Sequence, residues 1–456
     1  MRLQTIVDGD TSQLARRLRK QLDDHVRADY TYMYPPRQTY GPVTSDDLTA
    51  AVRRSLADSV GGPLNLYLHF PFCEQICGFC NLFAVASRDT DLIDTYITTL
   101  LRELDAYAPL VSGHTLDTLY LGGGTPSLIS PAQLARLFDG IERRLGTDIA
   151  AIPEVAMEVS PSTVEPAKFR EFHRLGINRV NLGFQSLADS ELADIGRDYT
   201  SATPLRALTE VMEVGFDNVC VDLIYGLPGQ DHASWRHSVD TVIGYAPQTV
   251  CAYALTLRPR TGFDLRGYHS IDGADQYAKY DYVDEQLREA GYRQQTHVRW
   301  ARGPAGGYRQ KANHWGLQPL VGLGAGARGY LWECDYRNGY SVRHRMRVLR
   351  DYLEAVPRHT HGRTDGFLMD DDERRRKAVI LGLTDLDPEW YRKTFDATPE
   401  DHFGPQLATL RDMGLLESTP DRLRLTRLGL RHRDVIVQHL FSGRVRDRLL
   451  AFDYDE

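Results

Sequence analysis

The stretch that decides the fold is Tyr67-Leu-His-Phe-Pro-Phe-Cys-Glu-Gln-Ile-Cys-Gly-Phe-Cys-Asn81. Cys73, Cys77 and Cys80 stand in it with C-x3-C-x2-C spacing. The apolar run from Leu64 to Phe70 leads into it and predicts a buried strand. Three thiols therefore fall on a short loop at a strand end. Three thiolates can hold three irons of a [4Fe–4S] cluster and leave the fourth iron open. A closed zinc site is the rival and needs a fourth ligand. His69, four residues before Cys73, is placed by the strand rather than by the loop. Three unrelated core cysteines are the bland reading, because Cys is a common core residue.

Working outward, apolar strands alternate with amphipathic helices from Leu64 to about residue 260. The strand candidates are Leu64–Phe70, Leu116–Leu121, Glu154–Val159, Arg179–Phe184, Asn218–Tyr225 and Val250–Leu255. Helical stretches at Leu92–Tyr107, Pro131–Leu145, Pro166–Leu175, Pro204–Val214 and His232–Tyr245 separate them. This alternation predicts an α/β fold with a parallel sheet and helices outside. Six units are too few for a closed eight-stranded barrel, so a partial TIM-like barrel is expected.

In such a barrel the chemistry gathers at the C-terminal strand ends. Strand one ends in the cysteine loop. The others run into Gly122-Gly-Gly-Thr-Pro126, Glu158-Val-Ser160, Gly183-Phe-Gln185-Ser186, Asp222 with Tyr225-Gly-Leu-Pro228, and Tyr253-Ala254. Glycine lets a backbone approach a ligand closely and expose its N–H groups. A strand-end carboxylate such as Glu158 suits ribose hydroxyls or an ammonium group, and otherwise is a solvated rim acid. Arg197 and Asp222 suit the charges of an amino-acid-like ligand, and otherwise form a structural ion pair. Cys220, Cys251 and Cys334 show no partner spacing and read as core thiols.

The flanks differ from this core. Leu14 to Val26 predicts a polar helix, and Tyr30-Thr-Tyr-Met-Tyr-Pro-Pro-Arg37 an extended strap, because proline forbids a helix there. Gln276 to Ala290 predicts a helix closed by Gly291. Beyond about Asp365 the character changes. Asp370-Asp-Asp-Glu-Arg-Arg-Arg-Lys377 starts a helix, and Leu407 to Leu416 followed by Leu423-Arg-Leu-Thr426 reads as a helix and hairpin of winged-helix type. The expected organisation is residues 1–60 over the substrate mouth, residues 61–345 as the barrel with its closing segment, and residues 346–456 as a small C-terminal module.

Bulk properties narrow the function classes. The chain has 456 residues with 42% hydrophobic and 25% charged content, ordinary for a globular protein. A net charge of −8 argues against a nucleic-acid surface. No window approaches the roughly 18 apolar residues of a membrane span. The first ten residues hold no apolar run of signal-peptide length. Six cysteines in so long a chain are not a disulfide framework, so a cytoplasmic, reducing location is the default.

The cysteine spacing after an apolar strand resembles the signature of the radical S-adenosylmethionine (SAM) superfamily. The wider run Tyr67-x-His69-x-Pro71-Phe72-Cys73 is similar to the subgroup of oxygen-independent coproporphyrinogen III oxidases. The resemblance implies a (β/α)6 core, a [4Fe–4S] cluster on Cys73, Cys77 and Cys80, SAM chelated at the open iron, and a 5′-deoxyadenosyl radical made with electrons from a donor such as flavodoxin or ferredoxin. Tyr67, Gly123 and Glu158 match residues of the first SAM site. Phe79, Gly124, Thr125, Gln185, Arg197, Asp222 and Ala254 match those of a second SAM. Asn313-His-Trp315 and Leu320 to Ala327 resemble a segment that closes the SAM site, with His314 where a Tyr is common. The strap resembles a Tyr-Thr-x-x-Tyr-Pro stretch near the substrate mouth, which makes Tyr30, Tyr34 and His314 candidate catalytic proton acceptors by location.

One departure matters. The oxidases carry a further cysteine two residues after the third ligand, and this chain has Leu82 there. That departure and the second-SAM match lead the resemblance to imply a class C methyltransferase, placing a methyl or methylene group on an sp2 carbon of an unsaturated small molecule. A coproporphyrinogen-type oxidative decarboxylase and a haem carrier are the alternatives.

Overall fold

The computed structural model describes residues 11–355 and 365–452. The first ten residues, read above for a signal-like run, lie outside the described residues. Six strands carry the parallel run: β2 (Pro63–Phe70), β3 (Thr115–Gly123), β4 (Glu154–Val159), β5 (Arg179–Gln185), β6 (Asn218–Tyr225) and β7 (Thr249–Ala254). They pair in that order, each parallel to the next, with Leu66 opposite Leu119 and Val221 opposite Val250. Helices Thr90–Val111, Pro131–Leu145, Pro166–Arg174, Ala202–Val214 and His232–Tyr245 intervene. Such strands are buried on both faces, which is why they read as continuous apolar runs.

Local chemistry fixes the helix ends. Pro131 sits at the first helical position behind Ser130, whose side chain and that of Gln133 form a reciprocal capping box. Gly146 closes the same helix in the left-handed region, at φ 62°.

The sheet extends beyond six strands. β10 (Leu320–Leu323) runs parallel to β2, with Val321 opposite Leu66. β11 (Arg328–Tyr330), β12 (Cys334–Arg337), β13 (Asp365–Leu368) and β1 (Gly41–Pro42) follow it antiparallel. At the other edge β9 (Arg299–Ala301) pairs antiparallel with β7, and β8 (Arg293–Thr296) with β9. The outcome is a thirteen-stranded open sheet among the described residues. The glycine-rich run Leu320 to Ala327 is thus partly a seventh parallel strand, where the sequence suggested a closing segment. Gly322 permits it, because a side chain there would meet the Arg328 backbone.

Among the described residues two large apolar cores result, and a small third cluster of Leu192, Ile195, Ile224, Leu227, Leu255 and Phe263 packs against Phe79 of the cysteine loop. The first large core fills the sheet and its helices and takes in Leu349 and Tyr352 of helix Arg345–Ala355. The second gathers Leu407, Leu415, Leu423 and Leu440 from the C-terminal helices and hairpin. The leading segment joins that second core. Helix Thr11–Asp23 buries Leu18 in it, and the strap buries Tyr34 there. No described helix is long and apolar enough to cross a membrane.

Candidate functional site

The cysteine loop follows β2 and is pinned from three sides. Gly78 donates its N–H to the Ile195 carbonyl at 2.9 Å and accepts from Phe263 N–H at 2.7 Å. Glu74 accepts from Ser162 Oγ at 2.5 Å and pairs with Arg88 at 2.6 Å. A Cβ at Gly78 would collide with Arg266 and Phe263, so only glycine fits between the second and third cysteines. Burial pushes the Cys73 thiol up to about 11 and the Cys80 thiol up to about 12. Without a metal these sulfurs hold their protons; a bound cation reverses that. Arg197 faces them. Burial works against its charge, and Cys77, Tyr199, Cys73 and Cys80 outweigh that and raise its pKa. It donates through Nη1 to Ser160 Oγ at 3.0 Å, while its buried Nε has no partner among the described residues. Three thiols on a glycine-dependent loop beside an incompletely bonded guanidinium fit a cluster and an anionic ligand beside it.

The glycine run after β3 packs directly on this loop. Gly124 N–H donates to the Phe70 carbonyl and Thr125 N–H to the Phe72 carbonyl, each at 2.7 Å. Thr125 Oγ1 lies 3.6 Å from Cys73 Sγ. Glu158, from the end of β4, accepts from Gly123 N–H at 2.8 Å and from the Tyr120 hydroxyl at 3.0 Å. Burial raises its carboxyl above the usual range, and those two donors pull it back. Tyr67 stacks on Tyr120 and donates its hydroxyl to His69 Nδ1 at 3.0 Å. The Phe83 carbonyl can only accept, so His69 Nε2, 2.7 Å away, carries the ring proton. Both His69 nitrogens are thereby used, which leaves it no free lone pair for a metal beside Cys73, Cys77 and Cys80. Tyr67, Gly123 and Glu158 are brought together with the cysteine loop.

The residues matched to a second SAM divide into groups. Phe79 and Ala254 line one cavity at the strand ends, of about 210 Å3, with Tyr30, Tyr253, Arg27 and His297. Gln185 takes a left-handed conformation, φ 69°, where β5 bulges between Gly183 and Gln185. Strain of that kind in a non-glycine residue collects at functional sites. Asp222 turns toward two thiols. Cys220 Sγ lies 3.7 Å from Asp222 Oδ1 and 3.7 Å from Cys251 Sγ. Burial, then Cys251 and Glu158, push the Asp222 carboxyl well above its usual range. Cys334 is buried in the sheet core.

The three acceptor candidates are scattered. Tyr30 sits in the 210 Å3 cavity, its ring 5.8 Å from Tyr253 and 5.2 Å from His297. Tyr34 is in the C-terminal core, where its hydroxyl donates to Glu373 at 2.5 Å. His314 is buried against the Tyr330 ring at 4.4 Å, and burial, Lys311 and Lys377 hold it neutral. The sequence reading missed Arg27, His297 and Asp434. Arg27 Nη2 donates to the Tyr225 hydroxyl at 2.9 Å, and His297 Nε2 lies 3.2 Å from Asp434. These residues come from the segment just before the strap, the sheet edge and the C-terminal module, and no local spacing links them.

Comparison with known proteins gives the family. A radical SAM superfamily model matches residues 67–242, and a HemN C-terminal domain model matches residues 369–432. The Lactococcus lactis protein named "Heme chaperone HemW" is 30% identical over 376 residues, covering 80% of this chain and 94% of its own. The chain belongs to the HemN/HemW-like family of the radical SAM superfamily. The Escherichia coli protein of the same name is 32% identical over 275 residues, covering 60% of this chain and 72% of its own. The solved coproporphyrinogen III oxidase (HemN) of Escherichia coli superposes with a TM-score of 0.77 over 90% of this chain and 96% of its own, at 23% identity, and shows the same fold. The family implies a [4Fe–4S] cluster, SAM and a source of electrons. These relatives overturn the class C reading. Their name is that of a haem chaperone, not a methyltransferase, so methyl or methylene transfer to an sp2 carbon is withdrawn. The second-SAM match does not discriminate among chemistries built on one fold.

Proposed function

We propose that this protein is a haem-binding carrier that retains the cluster and SAM site of its superfamily. The observation that carries the reading is the relationship to haem chaperones over four fifths of the chain. Leu82, in place of the oxidases' additional cysteine, supports it. Cys73, Cys77 and Cys80 would hold the cluster. When bound, that cluster offers an open iron to SAM and the electron that cleaves it. Glu158, Gly123 and Tyr67 orient that SAM, and Arg197 meets an anionic group beside the thiols. The matched set of Phe79, Gly124, Thr125, Gln185, Arg197, Asp222 and Ala254 is assigned to a second SAM, so dialysis should count two equivalents in wild type and one in Arg197→Ala. The electron donor is a small reductase partner of flavodoxin or ferredoxin type, in a cytoplasmic setting.

The test is anaerobic. Cluster-reconstituted protein is titrated with haemin and, separately, incubated with coproporphyrinogen III, SAM and dithionite. The expected result is saturable haem binding with no porphyrinogen consumed. Decarboxylation of the porphyrinogen without haem binding would replace the carrier reading with that of an oxidase.

A further inference from the structure

The cavity at the strand ends, about 210 Å3, lies below the range of about 300–1,000 Å3 usual for organic ligands. A larger one, about 1080 Å3, borders the cysteine loop at Asn81. Seven arginines and three carboxylates line it. The carboxylates are engaged: Asp365 pairs with Arg337 at 2.9 Å, Asp351 with Arg347 at 3.9 Å, and Glu103 accepts from Tyr352 at 2.7 Å. Arg258 is taken up by Asp29 at 2.5 Å, so the charge that remains centres on Arg37 and Arg337. Arg337 is largely buried, and its Nε has no partner among the described residues. Burial, then Arg328, depress its pKa; Asp365 pulls the other way, and Arg37 adds to the depression. Asp365 answers one nitrogen of this guanidinium; its Nε stays open beside the like charges of Arg328 and Arg37, and a ligand carboxylate would relieve both.

The wall also offers what an iron macrocycle needs. His344 lines it and is exposed, with no hydrogen bond or ion pair of its ring among the described residues. Its backbone is set by Ser341, whose Oγ accepts from His344 N–H at 2.9 Å. Tyr40 and Tyr340 supply aromatic surface. Tyr340 ties the cavity to the cluster loop, since its hydroxyl donates to the Asn81 carbonyl at 2.7 Å and accepts from Arg37 Nη1 at 3.2 Å. Arg345, next to His344, donates to the Ala84 carbonyl at 2.7 Å. Imidazole is a common axial ligand of haem iron, and arginine forks hold carboxylates.

We propose that this arginine-lined cavity is the haem site, with His344 as axial ligand and Arg37 and Arg337 holding the propionates. The inference rests on the carrier reading and adds the place and the ligand.

The full chain is titrated with haemin and, in parallel, with metal-free protoporphyrin IX and its dimethyl ester. Wild type should bind haemin with the Soret and electron-paramagnetic signature of histidine ligation. His344→Ala should lose that signature and weaken haemin about tenfold while still binding protoporphyrin. Arg337→Gln and Arg37→Gln should weaken protoporphyrin about tenfold and leave the weaker dimethyl ester unchanged. Cluster absorbance and circular dichroism check that each variant folds. If wild type binds no haemin, the carrier reading itself fails. If wild type binds haemin and the His344 and arginine variants match it in spectrum and affinity, the cavity assignment is overturned and the carrier reading stands.

Discussion

His69 accepts from Tyr67 on one ring nitrogen and donates to Phe83 from the other, with the ring buried inside the sheet. A second ring proton would have only the Tyr67 hydroxyl oxygen to accept it, with no carboxylate beside it. Burial accordingly depresses its pKa from 6.5 to about 4, and the Phe83 carbonyl offsets this only in part. The folded chain therefore binds fewer protons than the unfolded one between those values. Stability from this residue is fully present above about pH 6.5 and is lost as pH falls through 4. At about 1.4 kcal/mol per unit the loss approaches about 3 kcal/mol. Guanidinium unfolding of wild type and His69→Gln at a series of pH values checks this. The wild-type advantage should shrink by about that amount between pH 7 and pH 4. A difference constant with pH would mean that the ring titrates normally when folded.

At the scale of elements, the cysteine loop and the loop after β3 are built against each other. A Cβ at Gly124 would lie 2.6 Å from the Phe72 carbonyl oxygen, 2.8 Å from that of Phe70 and 3.0 Å from Cys73 Sγ. Two of those contacts are backbone and cannot swing away. Gly124→Ala should cost about 1–3 kcal/mol and displace Cys73, so iron and sulfide per reconstituted chain should fall. Gly244→Ala is the control. Gly244 lies inside helix His232–Tyr245 with nothing within 4 Å of an added Cβ, and its stability should hold or rise. Equal cluster content in both variants would show that the glycine run does not shape the loop. The six parallel strands and their helices were legible because period and length are local properties, and β4 and β6 begin and end where the sequence placed them. β10 was not legible. Leu320-Val-Gly-Leu323 is short and glycine-bearing, and it becomes a strand only through β2, more than two hundred residues earlier. The site divides the same way. Cys73, Cys77, Cys80 and Glu158 announce themselves at strand ends, whereas His297 and Asp434 meet only in the folded chain.

At the scale of the whole molecule, the two large cores are held in one frame by buried polar ties. Lys377, on helix Asp371–Gly382 of the C-terminal module, donates to Asp335 of β12 at 2.6 Å and to the Leu331 carbonyl at 3.2 Å. Arg433 donates to the Thr31 carbonyl at 2.7 Å and Lys311 to the Tyr32 carbonyl at 3.0 Å, so the strap is clamped between the two bodies as well. Lys377 and Asp335 are both buried, and the pair therefore costs desolvation on each side. Its effect on stability is asymmetric. Removing one partner strands a charge in the interior, whereas removing both strands none. Lys377→Met should destabilise the chain by about 3–5 kcal/mol at neutral pH, and Asp335→Leu should do the same by leaving a buried ammonium. The double variant Lys377→Met/Asp335→Leu should recover most of either loss, because methionine and leucine pack where the ions stood. Urea unfolding of the four proteins, followed by tryptophan fluorescence, closes the cycle. Losses that simply add would mean that the two side chains do not act as a pair.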